Sequence, residues 1–408
     1  MNIRSSKDVP LLFATRIIRM FGYGFLSVVL ALYLAQRGLS EGEIGLLLTL
    51  TLAGDAIITL WITTSADRMG RRRMLVFGAG LMIMAGVIFS LTGNFTLLVV
   101  TAIIGVISPS GNEIGPFLSI EQAALSQLLP DEKRTQTFAW YNLVGSFATA
   151  SGALAGGAMA QLLQHSGYTP LSSYRAVLLG YTLIGVLLGD LFLLLSQSVE
   201  APKLAEVIPA ERRFGLHKSR GVVLRLSSLF AIDAFAGGLV VQSMVAYWFN
   251  MKFGVQPAVL GSIFFGANIL AGISALSAAW IARRIGLINT MVFTHIPSNI
   301  LLILVPLMPT LPLAILVLLL RFSISQMDVP TRQSYTMAVV SPDERSAAMG
   351  VTSIARSVGA TLSPAITGQL LAVPGLMGTP FLIAGGLKIV YDLLVWRGFK
   401  SVKPAEEK

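Results

Sequence analysis

The sequence predicts an all-α membrane protein whose twelve transmembrane helices form two pseudo-symmetric six-helix bundles, and three observations support this. First, 54% of the 408 residues are hydrophobic and 12% are charged, whereas about 25% of the residues in soluble proteins are charged. Second, the apolar segments are long enough to cross a bilayer as helices, which satisfy their own backbone polar groups there. Third, the two halves of the chain repeat one another.

Twelve spans can be delimited at about 20 residues for each crossing. They cover approximately residues 9–35, 41–65, 74–92, 96–128, 136–163, 175–196, 221–249, 257–282, 287–308, 311–339, 346–371 and 378–397. The long polar break between the sixth and seventh spans predicts an N-terminal bundle at 1–196, a cytoplasmic linker at 197–220 and a C-terminal bundle at 221–408. The first apolar run lacks a small-residue cleavage site, so we interpret it as a spanning helix and not as a signal peptide.

The distribution of Lys and Arg between the connections predicts the orientation. Odd-numbered connections carry Arg37, Arg175 and Lys252, whereas the termini and even-numbered connections carry twenty of the 30 basic residues. Because basic residues accumulate in cytoplasmic connections, we expect a multi-pass protein of the cytoplasmic membrane with both termini in the cytoplasm. The net charge of +10 has the same origin, so no nucleic-acid partner is expected.

Several kinds of chemistry are disfavoured by what the sequence lacks. The chain has no cysteine and only three histidines, so it has no disulfide framework, thiolate metal site or cysteine nucleophile. It has no G-x-x-x-x-G-K-[ST] sequence to bind nucleotide phosphates, and no visible nucleophile–base spacing. We therefore expect no catalytic residues, metal or cofactor, and a membrane-embedded enzyme is an unfavoured alternative.

The repeat between the halves is visible in short matching segments. LPDEKR, ending at Arg134, recurs as SPDER, ending at Arg345, and Gly70 has its counterpart in Gly286. Internally repeated halves with a binding site between them are typical of secondary carriers.

The connection with the densest charge is ADRMGRRR, at residues 66–73. Together with the two six-helix halves and the central linker, it resembles the Major Facilitator Superfamily over the whole chain. The loop of that family reads G-x-x-x-D-R-x-G-R/K-R/K, and its matching positions here are Asp67, Arg68, Gly70, Arg71 and Arg72. Thr63 replaces the opening glycine, and the second copy keeps Gly286 but has Arg283 at the position of the acid.

The resemblance implies that these five residues form a cytoplasmic gate. In the family the matching aspartate pairs near the start of helix 11 and holds the outward-open state closed on the cytoplasmic side, so Asp67 is expected to do so here. The alternative is that the loop only orients the protein through its arginines.

Ionisable side chains at membrane depth are costly unless paired or hydrated, so each is a functional hypothesis. The predicted substrate and proton pathway comprises Arg16, Arg19, Asp55, Glu113, Glu121, Asp233, Asp328, Arg332 and Arg356. The resemblance implies that helices 1, 4, 7 and 10, which carry most of them, line the central cavity. Glu113 lies in SPSGNEIGP, whose Gly and Pro residues are expected to interrupt the helix near the midplane.

Each acid has a functional and a structural interpretation. Asp233 is the preferred coupling residue, and the alternative is a fixed ion pair with an arginine such as Arg19. Asp55 is either a second protonation site or a partner of Arg356.

Two further pairs of charged residues have the four-residue spacing of neighbours on a helix. Asp328 and Arg332 lie four residues apart and either serve transport or only neutralise each other. Lys388 and Asp392 are spaced to pair with each other on helix 12.

The predicted function is secondary active transport by alternating access, with a small-molecule substrate, the proton and the lipid bilayer as partners. GALAGG, at 152–157, resembles the G-P-x-x-G-G sequence of family drug exporters without its proline, which favours proton-coupled efflux (antiport) of a drug-like or amphipathic compound. The intramembrane arginines favour the alternative, uptake or exchange of an organic anion. A non-transporting sensor is a third possibility.

Overall fold

The computed structural model describes residues 5–113, 115–201, 216, 218–341 and 344–400. Most of the predicted linker, together with residues 1–4 and 401–408 at the predicted cytoplasmic termini, lies outside the described residues. The α-helices, numbered in chain order, are α1 (Ser5–Ser27), α2 (Leu30–Gln36), α3 (Glu41–Met69), α4 (Arg71–Leu91), α5 (Phe95–Ile104), α6 (Phe117–Leu128), α7 (Asp131–His165), α8 (Pro170–Leu193), α9 (Arg220–Gly238), α10 (Gln242–Phe253), α11 (Pro257–Ile285), α12 (Leu287–Leu304), α13 (Leu311–Phe322), α14 (Asp328–Ala338), α15 (Arg345–Thr361), α16 (Ser363–Leu371) and α17 (Thr379–Phe399).

Each predicted span corresponds to helix in the described chain, but some of the expected single helices are interrupted. The interrupted spans are the first (α1 and α2), fourth (α5 and α6), seventh (α9 and α10), tenth (α13 and α14) and eleventh (α15 and α16). The widest of these interruptions is at 105–116, where Gly111 and Gly115 have positive φ angles and prolines remove backbone donors. Within the described residues, nine helical stretches are long and apolar enough to cross a membrane.

Polar side chains at the ends of apolar segments explain where several helices begin. Ser40 starts α3 with a capping box, because its backbone nitrogen donates to Glu43 at 2.8 Å while its hydroxyl accepts from the Glu43 nitrogen. Asn94 caps α5 and Thr169 caps α8 through backbone donors three residues later. The caps lie where the hydropathy changes, so the ends of these helices follow from local sequence.

Close packing of α1 against α7 depends on glycine. A Cβ atom on Gly24 would meet the Thr149 carbonyl, and one on Gly152 or Gly156 would meet the backbone of Phe21 or Phe25. Small residues allow two membrane helices to approach in this way. Gly152 and Gly156 of the GALAGG segment therefore allow α7 to pack closely against α1.

Close contacts group the chain into two compact units, namely 1–204 with 241–265, and 205–240 with 266–408. The chain passes from the second unit to the first between Val240 and Val241, in the interruption between α9 and α10. The predicted bundle boundaries at 1–196 and 221–408 remain predictions.

Residues 241–265 are bonded to other parts of the first unit. Gln242 donates to Ser27 of α1 at 2.7 Å, and Tyr247 donates to Glu41 of α3 at 3.1 Å. The backbone nitrogen of Ala258 donates to the side chain of Gln161 in α7 at 2.9 Å. These bonds join α10 and the start of α11 to helices from the beginning of the chain.

Candidate functional site

The first unit contains a buried cluster of two arginines and two glutamates, here called the first cluster (Arg16, Arg19, Glu113 and Glu121). Arg19 lies at its centre, with Nε 2.9 Å from Glu113 Oε1 and Nη2 2.6 Å from Glu121 Oε2. Arg16 pairs with the other oxygen of Glu113. Both Arg19 and Glu121 are fully buried, so their opposite charges compensate each other in a medium that hydrates neither.

Three different elements position the first cluster. The arginines lie on α1, Glu121 lies on α6, and Glu113 lies in the interruption that separates α5 from α6. Glu121 also accepts hydrogen bonds from Tyr141 of α7 and, at 2.8 Å, from Thr15. Both oxygens of Glu121 therefore have charged or hydroxyl donors, which compensate the carboxylate for its loss of hydration.

Asp55 lies on α3 beside the same interruption but makes different contacts. Its carboxylate accepts the Thr59 hydroxyl at 3.4 Å and a backbone hydrogen bond from Gly115. Among the described residues of its unit, no Lys, Arg or His side chain forms an ion pair with it. Asp55 is thus placed near the first cluster without sharing its arginines.

The second unit contains a cluster in which one carboxylate serves three cations, here called the second cluster (Asp233, Asp328, Arg332, Arg356 and Lys388). Asp233 Oδ1 lies 2.5 Å from Lys388 Nζ, and its Oδ2 lies 2.8 Å from Arg356 and 3.3 Å from Arg332. Arg332 is also 2.7 Å from Asp328, one turn earlier on α14. Four helices, α9, α14, α15 and α17, meet at this cluster.

The expected pairing of Lys388 with Asp392 is wrong. Lys388 bonds to Asp233, while Asp392 accepts from Asn299 at 3.1 Å and lies 2.8 Å from His295 Nδ1. The reason is tertiary, because α12 supplies two polar side chains to Asp392 and the packing of α17 on α9 brings Lys388 to Asp233. The i, i+4 spacing gave no indication of partners so distant in sequence.

The loop at 66–73 is built around a glycine with a φ angle of 103°, Gly70, a conformation that disfavours other residues. Asp67 bonds to Arg71 at 2.8 Å across one turn, and two-thirds of its side chain is exposed. Arg71 also donates to Gln127 of α6 at 3.0 Å and to the Val199 carbonyl. Arg68 is exposed. Gly286 repeats this turn between α11 and α12 with a φ angle of 83°.

The chain that follows α8 lies against this loop. Glu200 accepts from the backbone nitrogens of Arg71 at 2.6 Å and Arg72 at 3.3 Å, while Arg72 donates to the Leu195 carbonyl at 3.2 Å. Gln127 donates to the backbone of Glu200 at 2.9 Å. The gate residues predicted from the sequence thus contact the first residues of the predicted linker.

Lys388 and Glu200 were not among the functional residues predicted from the sequence. Lys388 had a usable signal, since it is a lysine in the middle of an apolar helix, but its helical spacing suggested another partner. Glu200 had none, because a carboxylate in a polar segment looks like an ordinary solvated side chain. The described residues contain no group of three acids or histidines that could hold a metal ion.

A comparison with family models decides the family. The model of the Major Facilitator Superfamily matches residues 12–364. The chain belongs to this superfamily. It is therefore a membrane transporter and not an enzyme, and the predicted fold class is confirmed.

Two relatives in sequence differ in how much of the chain they match. The uncharacterized membrane protein YJR124C of Saccharomyces cerevisiae is 34% identical over 96% of this chain and 94% of its own length. The quinolone resistance protein NorA of Staphylococcus aureus is 23% identical over 38% of this chain and 39% of its own.

Solved structures share the fold at lower identity. A bacterial homolog of the human lysosomal transporter Spinster, in an inward-facing and occupied conformation, has a TM-score of 0.77 at 17% identity, covering 98% of both chains. A D-xylose–proton symporter has a TM-score of 0.69 at 15% identity, covering 95% of this chain and 97% of its own. The human organic anion transporter MFSD10 has a TM-score of 0.64 at 15% identity, covering 97% of this chain and 100% of its own.

Proposed function

We propose that this protein is a secondary active transporter that moves a small organic anion across the cytoplasmic membrane by alternating access, coupled to protons. The observation that supports it is the charge balance of the second cluster, where three cations share two carboxylates. A buried charge without a partner is strongly unfavourable. An anionic group on the substrate compensates the remaining cation, which makes substrate binding part of the charge balance.

Arg356 is the side chain that meets the substrate in this proposal. Its side chain is 34% exposed, whereas those of Lys388 and Arg332 are 9% and 8% exposed. A guanidinium can bind a carboxylate or phosphate through two parallel hydrogen bonds, so it retains donors for a ligand after bonding to Asp233. The substrate anion and Asp233 then compete for, or share, Arg356.

A thermal-shift screen of the purified protein tests the substrate class, since a ligand that binds the folded state raises its stability. Small carboxylates and organic phosphates are compared with their amides and with lipophilic cations. We expect stabilisation by anions that Arg356→Gln abolishes and that Arg345→Gln, a change at an exposed arginine, leaves intact. Stabilisation by cations alone, or an anion response unchanged in Arg356→Gln, contradicts the proposal.

Proton-coupled efflux of a drug-like or amphipathic compound is the second candidate. It is supported by the partial match to NorA and by the glycines of α7 at the position of the exporter sequence. Stabilisation by lipophilic cations in the same screen, with no response to anions, favours it. Binding without any movement of the ligand into proteoliposomes favours a sensor.

The loop at 66–73 is the proposed cytoplasmic gate, and we also propose that both termini lie in the cytoplasm. The support comes from the excess of basic residues on that side and from the family loop, whose positions Asp67, Arg68, Gly70, Arg71 and Arg72 match. The gating role of Asp67 rests on the resemblance alone. Within its own unit, the Asp67 carboxylate bonds to Arg71 of the same loop.

A further inference from the structure

The acids inside the spans differ in what compensates their charge. Glu113 and Glu121 bond to Arg19. Asp233 and Asp328 bond to Arg332. A proton added to any of these four carboxylates removes the partner of a buried arginine, which cannot itself release a proton. Protonating them during transport therefore requires rearranging an ion pair.

Asp55 lacks this obstacle. Its acceptor bonds come from a hydroxyl, that of Thr59, and from the backbone of Gly115. In the described part of the first unit no cation lies within ion-pair distance of it, so adding a proton removes no partner from a positive charge. We propose that Asp55 is the proton-binding residue of the transporter, an assignment that rests on the proposed proton coupling.

The surroundings of Asp55 are held in place by backbone contact. Gly54 lies so close to the backbone of Ile103 that a Cβ atom would overlap its carbonyl, which fixes α3 against α5. Two buried tyrosines interact electrostatically with Asp55, namely Tyr23 of α1 and Tyr181 of α8. Both carry hydroxyl groups and no positive charge, and the Asp55 side chain is itself only half-buried.

Asp55 is connected to the first cluster through the interruption in the fourth span. Gly115, whose backbone bonds to Asp55, lies two residues after Glu113, the partner of Arg16 and Arg19. An ionised carboxylate is a much stronger acceptor than a neutral acid. Protonation of Asp55 consequently weakens the bond that holds Gly115 and frees the segment that carries Glu113. Protonation of Asp55 on α3 thereby alters the ion pairs that Glu113 makes with Arg16 and Arg19 of α1.

Infrared difference spectroscopy against pH tests the site without any substrate. We expect a carbonyl band of a protonated carboxylic acid that appears as the pH falls in the natural protein. The band is absent in Asp55→Asn, a change that keeps the size of the side chain, and it is retained in Glu113→Gln and Asp392→Asn. A band that persists in Asp55→Asn, a band lost in Asp392→Asn, or no titrating band at all overturns the proposal.

A second measurement reports the consequence for the interruption and uses the absence of cysteine from the chain. Asn112 is exposed in this segment, so a single Asn112→Cys thiol is labelled at several pH values relative to an exposed reference, Ser166→Cys. We expect the labelling rate of the Asn112→Cys thiol, relative to the reference, to change with pH. This pH dependence should be lost in Asp55→Asn and kept in Asp190→Asn, a control at an exposed acid. A dependence that survives Asp55→Asn contradicts the coupling.

The two proposals fail separately. Neither the infrared nor the labelling measurement contains a substrate or depends on Arg356. A negative anion screen therefore contradicts the proposed substrate class without affecting the test of Asp55. The opposite outcome is also distinguishable. Anion binding that requires Arg356 supports the substrate class, and a titrating band that persists in Asp55→Asn rejects Asp55 as the proton site.

Discussion

The carboxylate of Glu200 lies 2.6 Å from the backbone nitrogen of Arg71, at the start of α4. The first turn of a helix leaves its backbone donors unsatisfied, and an acid placed there satisfies them and interacts favourably with the helix dipole. In this protein the acid is Glu200, which follows α8, the helix of the sixth span. The loop at 66–73 is thereby bonded to the segment that follows α8.

Replacing Glu200 with glutamine removes the charge from this contact while keeping an acceptor. We expect the free energy of unfolding to fall by about 0.3–1 kcal/mol, the range for the interaction of one charge with a helix terminus. Faster hydrogen exchange at the amides of Arg71 and Arg72 is the local sign of this change. Exchange at the start of α8, where Thr169 is the cap, serves as the internal control, and equal exchange in both proteins contradicts the prediction.

Asp67→Asn has a different expected effect. Its bond to Arg71 joins the last turn of α3 to the first residue of α4, and most of its side chain is exposed. Solvent-exposed ion pairs contribute about 0.2–1 kcal/mol, so the unfolding temperature should change little. If Asp67 is the gate residue, accessibility labelling from the cytoplasmic side should nevertheless increase, while labelling of the repeated turn at 282–287 stays the same. Identical labelling of the two proteins rejects the gating role.

Asp233→Asn should be the most destabilising single change in the second cluster. Arg332 keeps Asp328, but Lys388 and Arg356 lose their carboxylate. Removing one partner of a buried ion pair costs about 3–5 kcal/mol. The double variant Asp233→Asn, Lys388→Met removes one of the two orphaned cations, so it should unfold at a higher temperature than the single variant. Additive losses in the double-mutant cycle contradict this shared charge balance.

Gly152→Ala should weaken the contact between α1 and α7. Its new methyl group would meet the Phe21 carbonyl, and overpacking of this kind costs about 1–3 kcal/mol. Gly386→Ala is the matched control on α17, because nothing lies within 4 Å of the added atom. In a helix interior the control change should stabilise by about 0.5–1 kcal/mol. Thermal unfolding in detergent distinguishes the two, and similar shifts for both variants contradict the packing argument.

The number and positions of the spans follow from hydropathy, because no other arrangement of long apolar segments satisfies the backbone in a bilayer. The interruption at 105–116 was also predictable from its glycines and prolines. The interruption at 239–241 follows Gly237 and Gly238, whereas the one at 323–327 contains no glycine or proline.

The ion pairs of the candidate site were harder to predict. The Asp328–Arg332 pair is local and follows from a spacing of four residues. Lys388 and Asp233 are 155 residues apart in sequence, so their contact depends on how α17 packs on α9. Charge type and depth identified most members of both clusters, but the sequence could not say which acid each arginine bonds to.

The bond between Gln242 and Ser27 has a consequence for biosynthesis. The first unit includes residues 241–265, so the ribosome has already made α9, which belongs to the second unit, before the first unit's last segment exists. Domains of most proteins fold in the order of their synthesis. Here residues 1–204 cannot complete the first unit alone, because residues 241–265 of the same unit are made later. Until translation has passed Ala258, Ser27 and Gln161 lack their partners. An incomplete chain that stops after the sixth span therefore lacks the hydrogen-bond partners that Gln242 and Ala258 provide to the first unit in the complete protein.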